Sequence, residues 1–364
     1  MSLEAFLTER MIQVQLEKFG WNGFFAGQAC EGVPARVFSA SRERFVVWSE
    51  NDELEASVSG QMRRSGSTWP AVGDWVSLRP GAAVIERVLE RKSVLSRKHP
   101  GRAMDEQVLA ANIDALFIVS GLDRDYNERR IERYLVVARQ SGARPVILLN
   151  KADVAEEYDI DLGEVVVRLH QWSGVPVLPL SAATGEGLGG LNAMLAPGET
   201  AALIGSSGVG KSTIVNRLLD ESDQSGPLGE CRQATGPVRS SDDRGRHTTT
   251  SRSMFMMPGG WLLIDMPGLR EIQLWASPDQ LDASFEDVRE IARACRFRDC
   301  THTEEPGCAI VAAGLDEDRL ENYRKMQREL DYLDRKTDKR LMSATKSRWK
   351  IIHKAMRKKT KEGL

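Results

Sequence analysis

The segment TAALIGSSGVGKSTIVNRLLD, residues 200–220, restricts the architecture of this chain more than any other stretch. An apolar run, a glycine-rich turn of the form G-x-x-x-x-G-K-[ST] and a helix-like run follow one another without interruption. Gly205, Gly210, Lys211 and Ser212 fill the fixed positions, with Ser206, Ser207, Gly208, Val209 and Thr213 around them. Glycines let backbone N–H groups curl about phosphate oxygens, and the helix N-terminus adds partial positive charge. Lys211 is expected to reach the β- and γ-phosphates of a nucleoside triphosphate, and Ser212 to ligate Mg2+.

Other apolar runs share this style. DALFIVS (114–120), PVILLN (145–150), VPVLPLS (175–181) and WLLID (261–265) are continuous rather than alternating, and helix-like segments such as NERRIERYLVVARQSG separate most of them. Fully apolar strands between helices imply a mostly parallel sheet covered on both faces. The pattern differs from about residue 33 to 90. PARVFSA, RFVVWSE, ELEASVSG, DWVSLRP and AAVIERVL are short, alternating and punctuated by Gly, Pro and Asp. Five such strands suit a small closed barrel of the OB type, a common nucleic-acid binder. RKSVLSRKHPGR, 91–102, reads as a basic linker, and residues 1–32 as a short helix and a loop.

NKAD, residues 150–153, ends one of the apolar strands. The Asp153 carboxylate can accept from both the N1–H and the 2-amino group of guanine, donors that adenine lacks. Asn150 and Lys151 would brace the turn, with Ala152 between them and Asp153. A second strand ends in Ser181 and Ala182, where a backbone N–H could reach guanine O6. After the phosphate loop comes the polar stretch SSDDRGRHTTTSR, which holds His247 and three threonines, Thr248, Thr249 and Thr250. One of these, with Thr249 and Thr250 leading, is expected to close on Mg2+ when the γ-phosphate is present. DMPG, 265–268, places Asp265 at a strand end as a further Mg2+ ligand and offers the Gly268 N–H to the γ-phosphate. The position after that glycine, where many GTPases carry a water-orienting glutamine, is Leu269. His247 is the nearest replacement; it either places the attacking water or contacts RNA.

The order of these parts is unusual. In an ordinary GTPase the phosphate loop comes first, then the threonine switch, the aspartate switch, the base reader and the alanine loop. Here the base reader and the Ala182 loop come first and the other three follow. One order is a cyclic shift of the other, which two chance matches would not produce. Termini of compact domains often lie close together, so cutting one loop and joining the old ends preserves a fold. LNAMLAPGET is the expected join.

Cys295, Cys300, His302 and Cys308 form C-x4-C-x-H-x5-C, a donor set for one closed, tetrahedral, structural Zn2+. Cys30 and Cys231 stand alone and read as structural; five cysteines in all argue against a disulfide scaffold. Net charge is only −2, but residues 335–364 carry twelve Lys/Arg against two acids and so +10, leaving −12 on the rest. With Trp349, Ile351, Ile352 and Met356 among its cations, that arm suits rRNA phosphates; a solvated tail and a membrane-surface helix are the alternatives. No apolar run is long enough to span a bilayer, and the N-terminus lacks the apolar core of a secretory signal, so the expected location is the cytoplasm.

Together AVGDWV, EQVLAANID, NKAD, GSSGVGKST, RHTTT, DMPG and CRFRDCTHTEEPGC resemble the circularly permuted, ribosome small subunit-dependent GTPases called RsgA or YjeQ. Members usually read D-T-P-G, so Met266 is a departure, placed between the two functional residues. The resemblance implies hydrolysis of GTP to GDP, stimulated by the small subunit during its late maturation, with a switch histidine like His247 implicated in the reaction. The expected organisation is multidomain: an N-terminal extension (1–32), an OB-type β-barrel (33–98), a circularly permuted α/β P-loop GTPase (103–272), an α-helical zinc-binding domain (273–334) and a basic C-terminal arm (335–364). The expected partners are GTP, the small subunit and its rRNA, and the expected state is a monomer. Two rival readings are a non-catalytic RNA-binding switch, which Leu269 favours, and a GTPase serving a tRNA or protein target.

Overall fold

The computed structural model describes residues 16–28, 32–41, 43–50, 52–65, 68–98, 106–220, 252–266, 281–282, 284–298, 300–303 and 305–337. The chain divides into two compact units. One takes in Met1–Arg97 and Val108–Ile272, the other Lys98–Gln107 and Gln273–Leu364.

In the first unit, β1 (Val33–Ser41), β2 (Arg44–Trp48), β3 (Glu53–Val58), β4 (Trp75–Leu78) and β5 (Val84–Val88) close into a barrel. The pairing runs β1-β2-β3-β5-β4 and returns to β1, with β3–β5 the parallel pair. Period-two alternation puts Ala35, Val37, Phe45, Val47, Ala56, Val58, Val76 and Leu78 into one core. A register shift between Val37 and Ser39 bends β1. Its first half pairs with β4, while Ser39 and Ala40 pair with a strand outside the barrel. The outer face of β4 is also buried: Trp75 meets Trp21 and Phe25, and the Asn22 side chain caps α1 (Gly23–Ala26). A short helix, α2 (Gly60–Ser65), joins β3 to β4.

The stretch read as a basic linker contains a strand. β6 (Val94–Lys98) pairs with β7 (Glu106–Ala111) as a separate two-stranded sheet. Beyond it, β8 (Ala115–Gly121), β9 (Arg144–Asn150), β10 (Val177–Pro179), β11 (Thr200–Ile204), β12 (Arg252–Met256) and β13 (Leu262–Asp265) form a sheet in the order β10-β9-β8-β11-β13-β12. All are parallel except β12, which runs antiparallel to β13. Helix α3 (Glu128–Ser141) follows β8 and α4 (Leu162–Ser173) follows β9. Both are bounded as their sequences dictate. Asn127 and Asp161 accept N-terminal backbone N–H groups, and Gly142 and Gly174 close the C-termini in the left-handed region. Helix α5 (Gly189–Met194) precedes β11, and α6 (Lys211–Asp220) follows it.

Barrel and sheet belong to one hydrogen-bonded surface, because β1 pairs with β12. Beside that seam lies Arg36, buried to 2%. Its guanidinium donates to Thr200 Oγ1 at 2.8 Å, to Asn112 O at 3.2 Å, to Gly73 O at 3.3 Å and to Phe19 O. Burial lowers its pKa to about 10, against the opposing pull of Asp114 and Asp74.

The second unit contains α7 (Glu286–Ala292), α8 (Ala309–Ala313) and α9 (Glu317–Thr337). Arg319 joins α9 to α7 through a two-pronged bond to Asp287 at 2.7 and 2.8 Å and lies over the Phe285 ring. Among the described residues, no helix is long and apolar enough to cross a membrane.

Candidate nucleotide-binding site

The C-terminal ends of parallel strands all face one way, and there the sequence motifs collect. β9 ends in Asn150, β10 leads into Ser181, β11 into Gly205 and β13 ends in Asp265. The turn after β11 tolerates nothing larger at Gly210. Its φ is +94°, and a Cβ there would sit 2.2 Å from Asn150 Nδ2. Lys211, first residue of α6, folds back so that Nζ donates to Gly205 O at 2.8 Å and to Ser206 O at 2.6 Å. Ser207, Gly208, Ser212 and Thr213 are exposed at the mouth of the loop, and Val209 is buried beneath it.

Asn150 joins three loops. Nδ2 donates to Val209 O at 2.7 Å, inside the phosphate loop, while Oδ1 accepts the Ala182 N–H at 2.9 Å. The backbone repeats the connection, with Ala152 N–H on Leu180 O and Leu122 N–H on Asn150 O. Lys151 sits in the left-handed region at φ +66°, and its ammonium meets Asp123 at 2.5 Å. Asp153 is exposed in the 3-10 turn Ala152–Tyr158 that follows. Ser181 is fully buried, and its Oγ accepts the Thr184 N–H. The phosphate loop, the NKAD turn and the Ala182 loop thus meet at one end of one sheet.

Residues 88–275 match the RsgA GTPase family model. The chain is 45% identical to the small ribosomal subunit biogenesis GTPase RsgA of Opitutus terrae, over 94% of this chain and 97% of that one. It is 43% identical to the protein of the same name from Methanosarcina acetivorans, over 91% and 89%. The chain belongs to the RsgA GTPase family. Among solved structures, YjeQ from Thermotoga maritima superposes with a TM-score of 0.59 at 27% identity, covering 82% of this chain and 98% of that one. YloQ, a circularly permuted GTPase, shares the fold at 18% identity and a TM-score of 0.56, covering 83% and 96%. The chain therefore has the fold of a circularly permuted GTPase with an N-terminal five-stranded barrel.

Two titratable groups frame the phosphate end. Burial raises the Asp265 carboxyl to about 6, partly offset by Lys211. Burial lowers the Lys211 ammonium to about 8, partly offset by Asp265. In both groups burial disfavours the charged form and the opposite charge of the other favours it. Met266, the departure from the family pattern, is buried at 2% exposure beside Asp265. His247, Thr248, Thr249, Thr250, Gly268 and Leu269 lie outside the described residues, as do Cys30, Cys231 and 338–364 of the basic arm.

The Ala182 N–H itself is taken by Asn150 Oδ1. Sequence reasoning missed the loop after β8. Asp123 holds Lys151, and Asp125 and Arg130 surround the Ser206 hydroxyl. GLDRDYNERR matches no binding motif; only proximity in the fold gives it meaning.

In the second unit, the donor atoms of Cys295, Cys300, His302 and Cys308 all lie within 4.8 Å of one another. His302 Nδ1 is 3.5 Å from Cys295 Sγ and 3.7 Å from Cys308 Sγ. A tetrahedron with Zn–S of about 2.3 Å and Zn–N of about 2.0–2.1 Å has edges of roughly 3.5–3.8 Å. Geometry and donor chemistry both fit, so this cluster could hold a zinc ion. The turn is shaped by the left-handed φ of +59° at His302, by Glu305, which accepts the Thr301 and Thr303 amides at 2.9 Å, and by Arg324 on the His302 carbonyl. Hydrogen bonds from the Thr301 hydroxyl and then the Thr301 amide lower the Glu305 carboxyl to about 2.

Proposed function

We propose that this GTPase acts on the small ribosomal subunit during its maturation, with nucleotide state controlling docking or release. Asp153 reads the guanine edge; Asn150 and Lys151 hold that turn in place, with Ala152, Ser181 and Ala182 alongside. Gly205 through Gly210 wrap the phosphates, and Lys211 stabilises the charge that develops on them. Ser212 and Asp265, with Thr249 or Thr250, would hold a Mg2+ ion, which would supply positive charge at the phosphates. The Gly268 amide meets the γ-phosphate, and His247 places water.

The observation that supports the site assignment is the pair of hydrogen bonds made by Asn150, which tie the NKAD turn to the phosphate loop and to the Ala182 loop. The partner assignment rests on the names of the relatives above, both small ribosomal subunit biogenesis GTPases. It rests further on the closed barrel and the basic arm, which suit rRNA. One structural zinc ion in the Cys3His cluster and a cytoplasmic, monomeric protein complete the reading. The test is co-sedimentation with purified small and large subunits in a non-hydrolysable GTP analogue. Pelleting with small subunits alone, reversed by GDP, is the expected result; equal pelleting with both, or with neither, overturns the partner assignment.

A further inference from the structure

On the reading of this pocket as the site of GTP hydrolysis, we propose that Arg130 is a positioning residue, which with Asp125 grips the Ser206 hydroxyl and so aims Lys211 at the phosphates. Arg130 Nη1 donates to Ser206 Oγ at 2.8 Å and to Asp125 Oδ2 at 2.5 Å, and Nη2 donates to Asp125 Oδ1 at 3.1 Å. Ser206 Oγ in turn donates to Asp125 Oδ2 at 2.7 Å. The hydroxyl therefore accepts one bond and gives one, a closed three-membered arrangement that leaves it no free rotation. The carbonyl of the same Ser206 accepts the Lys211 ammonium at 2.6 Å. One residue thus links the surface pair to the reacting cation.

The grip is itself held. Arg130 is the third residue of α3, and its N–H is capped by Asn127 Oδ1 at 3.1 Å. Asp123 accepts the Asp125 N–H at 3.0 Å and the Tyr126 N–H at 2.9 Å, and binds Lys151 of the NKAD turn. The loop between β8 and α3 is accordingly a strut with one foot on the base reader and one on the phosphate loop.

The ion pair has little other work. The Arg130 and Asp125 side chains are 33% and 46% exposed, and such pairs contribute little to stability. Losing them leaves the fold and the guanine-reading end intact. What changes is how well Lys211 meets the phosphates, most of all the charge that grows during hydrolysis, so the loss falls more on the rate of the chemical step than on ground-state affinity.

Single-turnover GTP hydrolysis and fluorescent GTP and GDP binding on the full chain test this. Arg130→Ala and Ser206→Ala are each expected to slow hydrolysis about tenfold, with nucleotide affinities within about threefold of wild type. The double variant is expected to be no slower than the slower single, because both remove one linkage. Asp125→Asn, which keeps the shape, is expected to show the same loss, and Arg130→Lys to recover part of it. Wild-type rates in Arg130→Ala, multiplicative losses in the double variant, or a fall in affinity at an unchanged rate would each overturn the proposal. Lys211→Ala separates the two levels: if it too hydrolyses GTP at the wild-type rate, the site reading fails; if it is inactive while Arg130→Ala is normal, only the positioning role fails.

Discussion

Asn150 gives to the Val209 carbonyl and takes from the Ala182 amide, at 2.7 and 2.9 Å, while its own side chain is buried. A residue chosen in the sequence as part of a base-reading motif turns out to tie that motif to the phosphate loop. The motif was legible because its spacing is fixed; the bond to Val209 was not, because its ends lie 59 positions apart in the sequence. Asp123, Asp125 and Arg130 were illegible for the same reason. The titration of Lys211 and Asp265 belongs to this scale as well. On the proposed reading, magnesium-bound GTP is held by a carboxylate at Asp265 and an ammonium at Lys211. Below about 6 binding must expel a proton from Asp265, and above about 8 it must add one to Lys211. Affinity for Mg2+–GTP is therefore expected to rise with pH up to about 6, stay level, and fall beyond about 8 when followed by titration calorimetry. Asp265→Asn should remove the acid limb, separating it from titration of the nucleotide itself; an unchanged acid limb in that variant contradicts the assignment.

Elements were legible where a period or a cap announced them. The alternating runs became the five barrel strands, and the continuous apolar runs became the parallel strands. Asn127 and Asp161 mark the starts of α3 and α4, and Gly142 and Gly174 their ends. β12 was missed. RSMFM has neither strict alternation nor a continuous apolar run, and it becomes a strand by pairing with β13 on one side and β1 on the other. β6 was missed because Arg91, Lys92, Arg97 and Lys98 give its segment the look of a linker. The Cys3His turn was legible from spacing alone, while the left-handed His302 that lets the four donors converge was not. Helices α7 and α8, seven and five residues long, flank this turn. Purified protein is expected to hold about one zinc per chain by metal analysis. Cys300→Ser should lower that content and speed amide exchange across 295–308, and full zinc occupancy in the variant would contradict the ligand assignment.

At the scale of the molecule, cyclic order was the most informative thing in the sequence. Five motifs kept their neighbours while the starting point moved, and the sheet order β10-β9-β8-β11-β13-β12 carries the join between α5 and β11 without disturbing a strand. How the barrel meets the nucleotide-binding sheet was not legible. Arg36 was not singled out in the sequence, yet it is buried against Thr200 at the start of the strand that leads into the phosphate loop. Pairing of β1 with β12 makes the same connection through the backbone. The barrel is thereby fastened to the sheet that holds the nucleotide, and a change at one has a covalent and hydrogen-bonded path to the other.

The claim on which the rest depends is that Asp153 and Lys211 hold opposite ends of one nucleotide, and a change of base specificity measures it most directly. Asp153→Asn exchanges an acceptor for a donor at the base edge, so GTP affinity is expected to fall by at least about a hundredfold while xanthosine triphosphate is bound and hydrolysed. Adding Lys211→Ala to that variant should abolish hydrolysis of xanthosine triphosphate as well. An Asp153→Asn protein that still prefers GTP, or a double variant that still hydrolyses xanthosine triphosphate, would contradict the account.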